Sequence, residues 1–417
     1  MDIKSLLKTF TCSCGKEHSC DIKDVFIEKD AAKRITDSVK GYNTITVAAD
    51  KNTYAQSGKD VEKALFGKNY KVYIFPDELL VPNEDAIARL KNALLQNTDL
   101  IIGIGSGVMQ DLCKYVSYEE KIPYHIVATA PSMDGYASKG AAMIIGNMKI
   151  TYNAHVPEVI YADTEVLKNA PLDMIKSGFG DIVGKYSCLN DWKLAHAVND
   201  EYICPYVYDL TFDMLLSVKD LGPALLRRDS EAVKKLMEAL VGVGIAMAYV
   251  GNSRPASGSE HHMSHFFEVL GIMKKEPYFM HGTDVLYSAY YTEKMREELI
   301  SLTEVKAKSS FSMDEWKKTI RDIYLDAAEG VISLQEKQGW YKEDKVPVYK
   351  EKWEEIVKVL SEVPSSCELL SLIESIGLDI KEFENLYGEE KIKNAMLYAK
   401  DLKDRYSVVW LYFALMA

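Results

Sequence analysis

Histidines are concentrated in one stretch of this chain, at a spacing that could hold a metal ion. The segment SRPASGSEHHMSHFFEVLG, residues 253–271, contains His261 and His265, and the segment FMHGTD adds His281. Residues four apart lie on one face of a helix, whereas His262 would point about 100° away from that face. Imidazole is the commonest side-chain ligand for zinc-like metals, and two imidazoles with one carboxylate leave a coordination position open.

The carboxylate that could complete this set is Asp181, in SGFGDIVGKYSCLNDWKLAH at residues 177–196. Gly178 and Gly180 precede it, so we predict that Asp181 lies at the start of a helix. An aspartate at a helix start is most often only a cap, and a histidine is most often a hydrogen-bonded structural residue. The spacing alone therefore leaves a metal site and a purely structural role open as alternatives.

Local signals define the helix that would present the histidines. Ser257 and Glu260 fit a capping box, with the serine at the N-cap and the glutamate at N3. We therefore predict a helix that begins at about residue 258 and ends near Gly271.

A glycine-rich turn indicates a second kind of chemistry, the binding of a phosphate-containing cofactor. In GIGSGVMQD, residues 103–111, Gly105 and Gly107 follow a predicted strand and open a predicted helix. Glycine lets a pyrophosphate approach the backbone, and the N–H groups of a helix N-terminus favour its charge. Asp50 ends an earlier strand and could accept hydrogen bonds from an adenosine ribose, which favours NAD over NADP. A tight turn with no ligand is the alternative.

A second polar strand end follows in ATAPSMDGYAS, residues 128–138. The carboxyl ends of parallel strands meet at one edge of a sheet, where ligands bind. The side chains of this stretch that could reach a ligand are Thr129, Ser132, Asp134 and Ser138.

The predicted secondary structure that must position these residues changes along the chain. The first 160 residues alternate β-rich runs, such as TITVAAD at 44–50, with helical patterns, which predicts a parallel sheet covered by helices. Residues 141–154 read as a β-hairpin that turns at Gly146-Asn147. From about residue 165 helical stretches dominate, among them 230–250 and, as the last, 389–416.

This change predicts two domains that share a cleft. Residues 1–163 would form a Rossmann-like α/β domain that binds the dinucleotide, with a hairpin at its N-terminus. Residues 164–417 would form an all-helical domain that binds the metal and the substrate.

Composition limits the classes of function. The chain has 417 residues and a formal net charge of -12, which argues against binding to a nucleic acid backbone. The chain has seven cysteines, an odd number at irregular spacing, which predicts free thiols in a reducing compartment. Its first residues lack the apolar region of a signal peptide, so we predict a cytoplasmic protein. The longest apolar stretch, residues 406–417, is too short to span a bilayer as a helix.

The segment TCSCGKEHSC, residues 11–20, places three cysteines and a histidine close together. The C-x-C spacing does not match the paired C-x-x-C of a zinc ribbon or finger. Gly15 and its neighbours read as a turn between strands in KTFTCS and SCDIKDVFIE. We therefore interpret the segment as a structural hairpin and keep a metal site as the alternative.

Five motifs together resemble the glycerol-1-phosphate dehydrogenases, and most closely their bacterial, AraM-like branch. They are GSGVMQD, ATAPSMDGYAS, GFGDIVGKYSCLNDWKLAH, SRPASGSEHHMSH and MHG, in this order between about residues 40 and 300. This family lies within the superfamily of iron-type alcohol dehydrogenases and dehydroquinate synthases, so the resemblance implies a dehydroquinate synthase-like fold.

The resemblance implies a role for each matching position. Asp181, His261 and His281 would ligate a divalent metal, Asp134 would contact substrate, and His265 would contact substrate and relay a proton. Asp181 and His265 would therefore be the catalytic residues. The residues that would bind NAD, or NADP, are Asp50, Gly105, Ser106, Gly107, Val108, Met109, Gln110, Asp111, Thr129, Ala130, Pro131, Ser132 and Ser138.

One departure from the wider superfamily bears on the metal. Iron-type relatives often place a fourth ligand, a histidine, one turn after the aspartate, and Lys185 stands there in this chain. The resemblance therefore implies a three-ligand site that holds zinc or nickel rather than iron. Arg254 and Lys185 are the candidates for binding the phosphate of the substrate, and a structural role in the Ser-Arg-Pro turn is the alternative for Arg254.

The implied reaction interconverts dihydroxyacetone phosphate and sn-glycerol 1-phosphate by hydride transfer at C2. The alternatives are a glycerol dehydrogenase, a dehydroquinate synthase-like lyase that releases phosphate, and a non-catalytic homologue that binds nucleotide and metal. The implied pathway is phospholipid biosynthesis, another phosphoglycerol product or sugar metabolism. We expect a homodimer or a higher homo-oligomer, because soluble oligomers are mostly symmetric.

Overall fold

The computed structural model describes residues 3–146, 148–307 and 311–417. These residues divide into two compact units. One unit comprises Met1–Ile182 and Asp209–Asn252, and the other comprises Val183–Tyr208 and Ser253–Ala417. The predicted domain boundary between residues 163 and 164 stays a prediction.

The first unit is built on a six-stranded, fully parallel sheet with the strand order β3-β10-β7-β6-β4-β5. This confirms the predicted α/β class. The strands of the sheet are β3 (Asp24–Glu28), β4 (Thr44–Asp50), β5 (Asn69–Phe75), β6 (Leu100–Gly105), β7 (Tyr124–Ala128) and β10 (Val159–Asp163).

The sheet forms because its strands are short apolar runs that helices can cover on both faces. Every residue of β6 and β7 is buried. Ile45, Val47 and Ile104 pack with helix residues Val61 and Leu65 in the core. The helices between residues 31 and 252 are, in chain order, α1 (Ile35–Ser38), α2 (Lys51–Ala64), α3 (Glu84–Ala93), α4 (Gly107–Glu120), α5 (Thr164–Lys168), α6 (Leu172–Val183), α7 (Lys185–Asn199), α8 (Pro205–Val218), α9 (Gly222–Leu226) and α10 (Ser230–Val250), of which α7 belongs to the second unit. Short 3-10 helices span Ile3–Leu7, Ala31–Arg34 and Asp134–Ala137.

Two hairpins accompany the sheet. β8 (Gly140–Ile145) and β9 (Met148–Asn153) are antiparallel, which confirms the predicted hairpin. Gly146 has a φ of 58°, the left-handed conformation that a tight turn needs, and Asn147 lies outside the described residues. The N-terminal hairpin consists of β1 (Phe10–Thr11) and β2 (Glu17–His18).

The N-terminal hairpin is shorter than the sequence predicts. Its second strand, β2, ends at His18, before the predicted partner SCDIKDVFIE begins. That segment instead supplies β3, which pairs in parallel with β10 in the main sheet. The predicted pairing was wrong here, because the segment pairs with a strand far along the chain instead of pairing with β1 across the turn.

The C-terminal part of the chain is helical, as predicted. Its helices are α11 (Ser259–Lys274), α12 (His281–Ile300), α13 (Met313–Tyr324), α14 (Ala328–Gln338), α15 (Val346–Glu351), α16 (Trp353–Leu360), α17 (Ser366–Ser375), α18 (Ile380–Tyr398) and α19 (Val408–Met416). Short 3-10 helices span Leu325–Ala327, Trp340–Lys342 and Ala399–Leu402. The single helix predicted over 389–416 is wrong, because a 3-10 turn and an extended stretch separate α18 from α19. None of the described helices is long and apolar enough to cross a membrane.

Candidate active site

The sheet brings the predicted cofactor residues of the first unit to one edge. Asp50 ends β4, Gly105 ends β6, and Thr129 directly follows β7. The Thr129 amide donates a hydrogen bond to the Gly105 carbonyl at 3.2 Å, which holds the two strand ends together. This is the carboxyl edge of a parallel sheet, where open α/β sheets bind their ligands.

Asp50 also has a structural role, which was not predicted from the sequence. It is the N-cap of α2, and its Oδ1 accepts a hydrogen bond from the Thr53 amide at 2.8 Å. The Thr53 hydroxyl in turn accepts from the Asp50 amide at 3.1 Å, which completes a capping box. The capping box thereby fixes the Asp50 carboxylate at the edge of the sheet.

The glycine-rich turn is shaped by one close approach. A Cβ at Gly105 would lie 2.5 Å from the Met109 Cβ, so a side chain there would collide with the first turn of α4. A Cβ at Gly107 would meet nothing closer than 3.8 Å. Ser106 is the N-cap of α4, and its side chain makes no capping hydrogen bond within the described residues. Val108 to Asp111 follow on the first turns of this helix.

Gln110 and Lys114, on α4, face the protein interior. The Gln110 amide donates to the Tyr124 hydroxyl and to the Tyr136 carbonyl, both at 3.0 Å. The fully buried Lys114 donates to the carbonyls of Gly135 at 3.0 Å and Gly140 at 2.7 Å. Burial lowers the pKa of Lys114 to about 8. These two side chains therefore hold the turn that contains Asp134.

Lys114 was not predicted from the sequence, because a lysine on a helix is usually exposed. Its Nζ also lies 3.4 Å from the Ser138 hydroxyl. Ser138 is buried and donates to the Gly135 carbonyl at 3.1 Å, so its hydroxyl supports the same turn.

Asp134 and Asp181 are in direct contact within the first unit. The Asp134 amide donates to Asp181 Oδ2 at 2.9 Å, and Asp181 is fully buried. Asp181 lies in the last turn of α6 and not at a helix start, so that prediction was wrong.

The glycines before Asp181 serve packing rather than helix initiation. A Cβ at Gly178 would lie 1.8 Å from the Pro131 carbonyl oxygen, on the loop that follows β7. Pro131 lies between Ala130 and Ser132, and the Ser132 carbonyl accepts a hydrogen bond from Ser177 at 3.1 Å. Glycine at 178 thus lets α6 lie directly against this loop.

We expect Gly178→Ala to push this loop away from α6, because the added methyl group overlaps a backbone oxygen that no rotamer change can move. Overpacking of this kind costs about 1–3 kcal/mol of unfolding free energy and sometimes more. NADH affinity should fall with it if the loop binds the dinucleotide. Urea unfolding and NADH fluorescence titration measure the two effects.

Gly41→Ala is the matched control, because a Cβ there would meet nothing within 4 Å. An alanine at 178 that changes neither stability nor NADH affinity would contradict the packing argument.

The histidine cluster lies wholly within the second unit. The ring centroids of His261 and His281 are 5.0 Å apart, those of His265 and His281 are 5.3 Å apart, and those of His261 and His265 are 6.1 Å apart. His281 is the first residue of α12, and its carbonyl accepts a hydrogen bond from Ser264 at 3.3 Å. This confirms the predicted convergence of the three rings.

The orientation of His261 is set by its neighbour Glu260. The fully buried Glu260 carboxylate accepts from His261 Nδ1 at 2.6 Å and from the Gly258 amide at 3.0 Å. Burial raises the pKa of Glu260, but the His261 and Gly258 hydrogen bonds outweigh it and lower the pKa below its ordinary value. A carboxylate on Nδ1 leaves Nε2 as the nitrogen that could bind a metal ion, an arrangement common in metal sites.

The capping box predicted for α11 is wrong in one half. The N-cap is Gly258 rather than Ser257, and no N-cap side chain bonds the helix. The buried carboxylate of Asp191 takes that role, since its Oδ2 accepts from the Ser259 amide at 2.6 Å. A Cβ at Gly258 would lie 2.6 Å from this same oxygen, so the glycine makes room for Asp191.

Three further basic residues of the second unit are buried. His262 points into the interior, where burial and the charges of Arg405 and Lys403 hold its pKa well below its usual value. The Lys185 ammonium donates to the Ala256 carbonyl at 3.0 Å. Arg254 forms a two-pronged ion pair with Glu201 and donates to the Tyr406 carbonyl at 2.8 Å.

Comparison with known proteins identifies the family of this chain. The profile of the iron-containing alcohol dehydrogenases matches residues 27–171. A glycerol-1-phosphate dehydrogenase [NAD(P)+] of Geobacillus thermodenitrificans is 33% identical over 79% of this chain and 83% of its own length. One from Halalkalibacterium halodurans is 28% identical over 96% of this chain and 94% of its own.

The fold agrees with a solved structure as well. The sulfoacetaldehyde reductase of Bifidobacterium kashiwanohense, in complex with NAD+, aligns with a TM-score of 0.60 and 14% identity, over 96% of this chain and 98% of its own. That likeness shows the fold, whereas the sequence relatives show the family. The chain belongs to the glycerol-1-phosphate dehydrogenase family, within the iron-containing alcohol dehydrogenases.

Proposed function

We propose that this protein is a metal-dependent, NAD(P)-linked dehydrogenase that interconverts dihydroxyacetone phosphate and sn-glycerol 1-phosphate by hydride transfer at C2. The observation that supports it most strongly is the cluster of His261, His265 and His281, in a chain that belongs to this family.

The donor set suits one divalent metal ion. His261 and His281 would supply imidazole nitrogens, and Asp181 would supply the carboxylate oxygen. The Glu260 carboxylate on His261 Nδ1 supports this, because ligand histidines usually donate their other N–H to a carboxylate or a carbonyl. Two imidazoles and one carboxylate are the set found in zinc enzymes with an open position. We therefore propose zinc or nickel as the resident metal.

A second ligand set is possible within the second unit alone. His265, Glu268 and His281 offer ligand atoms that all lie within 4.8 Å of one another. We favour the set with His261 because that ring is buried and held by Glu260, whereas His265 and Glu268 are only half-buried. Metal content separates the two sets: His261→Ala removes the ion in the favoured set and leaves it in the other.

When bound, a metal would supply Lewis-acid polarisation of the oxygen on C2, and a nicotinamide would supply or accept the hydride. The chain's own residues position these groups. The Asp134 amide holds Asp181 Oδ2 at 2.9 Å, so the turn at Asp134–Ala137 orients the carboxylate. His265, beside His281, would move the proton between the C2 oxygen and solvent.

The carboxyl edge of the sheet would hold the dinucleotide. Gly105 to Met109 and Asp111 would lie at the pyrophosphate, Thr129 to Ser132 and Ser138 would also touch the dinucleotide, and the N-terminus of α4 favours the phosphate charge. Gln110, predicted with them, faces the interior. Asp50, fixed by its capping box, would accept hydrogen bonds from the adenosine ribose. A carboxylate there repels a 2′-phosphate, so we propose a preference for NAD over NADP.

For the substrate phosphate we retain Lys185 ahead of Arg254. The Lys185 ammonium donates to the Ala256 carbonyl at 3.0 Å, an uncharged acceptor with which a phosphate oxygen would compete. The Arg254 fork faces Glu201 on both prongs, so phosphate binding there would require this ion pair to open.

The direct test is NADH oxidation with dihydroxyacetone phosphate, on metal-free protein reloaded with zinc, nickel or no metal. We expect turnover only with metal, a sn-glycerol 1-phosphate product, and little activity with dihydroxyacetone or glycerol. Metal-dependent turnover of the unphosphorylated substrates alone would indicate a glycerol dehydrogenase. Phosphate release from the substrate would indicate a lyase, and NADH binding without turnover would indicate a non-catalytic homologue.

The proposed homodimer has its own test. Sedimentation equilibrium of the metal-loaded protein should give a mass near twice the chain mass of 47.0 kDa. A single-chain mass at assay concentration would contradict it.

A further inference from the structure

The N-terminal hairpin brings two cysteines and a histidine together, far along the chain from the residues of the proposed active site. Cys12 follows β1, Cys14 lies in the turn, and His18 ends β2. One ligand atom from each of the three lies within 4.8 Å of the other two. We propose that Cys12, Cys14 and His18 bind a structural zinc ion, in addition to the metal of the active site.

The distances match the size of such an ion. Cys14 Sγ lies 3.5 Å from His18 Nε2. Zinc binds sulfur at about 2.3 Å and nitrogen at about 2.0–2.1 Å, and at the tetrahedral angle these lengths put the two ligand atoms about 3.5 Å apart. No disulfide joins any two of the described cysteines, and the thiolate is the form in which cysteine binds zinc.

His18 is oriented as a metal ligand. Its Nδ1 lies 3.0 Å from the Tyr249 carbonyl oxygen, which can only accept a hydrogen bond, so Nδ1 carries the ring proton. Nε2, the nitrogen facing Cys14, therefore has its lone pair directed toward the sulfurs. A backbone carbonyl on the distal nitrogen is a common partner of ligand histidines. The ring is fully buried and stacks on Tyr249 at 5.4 Å between centroids.

The turn between the strands is built to bring Cys14 back toward Cys12. The Cys12 amide donates to the Lys16 carbonyl at 2.9 Å, and the Gly15 amide donates to the Cys12 carbonyl at 3.0 Å. Gly15 has a φ of 85°, a conformation that favours glycine. This geometry explains how a C-x-C spacing, which does not match the usual zinc motifs, can still place two sulfurs on one side of a hairpin.

A bound metal would also account for the stability of this hairpin. Each strand has only two residues, and a hairpin of that size is marginal in water. Phe10 and His18 pack against Tyr249 near the end of α10, and few other apolar side chains of the hairpin are buried. A metal link across the turn would replace the missing core, as it does in small metal-bound domains. It would attach the start of the chain to α10.

The proposal is tested by counting metal in the full-length protein after reconstitution with Zn²⁺ and removal of unbound ion. We expect two zinc ions per chain in the unaltered protein and one in each of Cys14→Ser, Cys12→Ser and His18→Gln. His261→Ala should also hold one, and the double variant Cys14→Ser/His261→Ala should hold none. Cys367→Ser is the matched control, because that cysteine is exposed and lies elsewhere, and it should keep two ions.

The structural zinc and the active-site metal can be tested independently of each other. Cys14→Ser should keep dihydroxyacetone phosphate reduction close to that of the unaltered protein when assayed well below its melting temperature, and its melting temperature should fall. Unchanged zinc content in Cys14→Ser, or a disulfide between Cys12 and Cys14 in the freshly purified protein, would overturn the structural zinc. Loss of activity in His261→Ala has no bearing on that result.

Substitution with Co²⁺ gives an independent readout, because its thiolate charge-transfer absorption reports sulfur ligands directly. We expect this absorption in His261→Ala and expect it to be lost in Cys14→Ser. Its absence from His261→Ala would contradict the proposal. Single Cys→Ser variants at Cys20, Cys113, Cys188 and Cys204 then test whether a further cysteine is the fourth ligand of the ion. If the absorption corresponds to two sulfur ligands only, the fourth ligand is water.

Discussion

His261→Ala is expected to remove the active-site metal and to lower kcat/KM for dihydroxyacetone phosphate by at least about 10³-fold. Lewis-acid stabilisation of the C2 oxygen is worth several kcal/mol, and each 1.36 kcal/mol is about tenfold in rate. Glu260 should keep α11 intact in the variant, because its hydrogen bond from the Gly258 amide does not involve the imidazole. Metal analysis, steady-state kinetics and circular dichroism on the same preparation measure the three quantities.

The matched control is His196→Ala, at an exposed histidine of α7 whose Nδ1 lies 2.7 Å from the Glu201 carbonyl. It should keep metal and nearly full activity. A His261→Ala protein with a full metal complement and turnover within a few-fold of the unaltered protein would exclude His261 from the site. The set of His265, Glu268 and His281 would then become the favoured one.

Asp191→Ala is expected to lower the free energy of unfolding by about 3–5 kcal/mol, the usual cost of leaving one partner of a buried ion pair uncompensated. Asp191 Oδ1 accepts from Arg296 at 3.0 Å and from the Val408 amide at 2.8 Å, and both charged side chains are fully buried. Its other oxygen caps α11 through the Ser259 amide. One substitution therefore leaves two backbone amides without their acceptor and removes the nearest carboxylate from a buried guanidinium, which among the described residues keeps only the Asn190 side chain and the Ser187 carbonyl as hydrogen-bond acceptors.

Chemical denaturation measures this loss, with Asp220→Ala as the control at an exposed aspartate. The control should change the free energy of unfolding by less than about 0.5 kcal/mol, as most surface substitutions do. Asp191→Asn, which keeps the shape and can still accept, should lie between the two. An Asp191→Ala protein as stable as the control would show that Arg296 finds another acceptor.

Much of the fold could be predicted from local pattern, because the strands of a covered parallel sheet are short apolar runs with clear ends. The predicted strand at 44–50 has the bounds of β4, and the hairpin at 141–154 forms β8 and β9. The long helix at 230–250 also matches α10. Each of these elements is set by its own residues and their periodicity.

The errors come from interactions between residues far apart in the sequence. Gly178 looks like a helix breaker, yet it is a helical glycine that avoids the Pro131 carbonyl. Ser257 looks like the cap of α11, yet Asp191, on another helix, accepts the hydrogen bond. No local pattern contains the distant oxygen atom that decides either case.

The histidines of the candidate site could be predicted from the sequence, whereas the residues that hold them and the neighbouring turn could not. The i, i+4 spacing of His261 and His265 was enough to predict two rings on one face, and the predicted convergence of His281 with them is confirmed. The sequence predicts Glu260 as a capping residue, but no sequence pattern indicates its hydrogen bond to His261 Nδ1. Lys114 gave no sequence signal, since only burial distinguishes it from an ordinary surface lysine.

The first unit is assembled from two separated stretches of chain, and this has a consequence for synthesis on the ribosome. Its second stretch, Asp209–Asn252, contains α10, where a Cβ at Gly244 would lie 2.8 Å from the Asp134 carbonyl oxygen. The turn at Asp134–Ala137 therefore packs on a helix that is translated about a hundred residues later. A nascent chain that stalls before α10 would carry a finished sheet with an uncovered turn, a state exposed to aggregation and to chaperones.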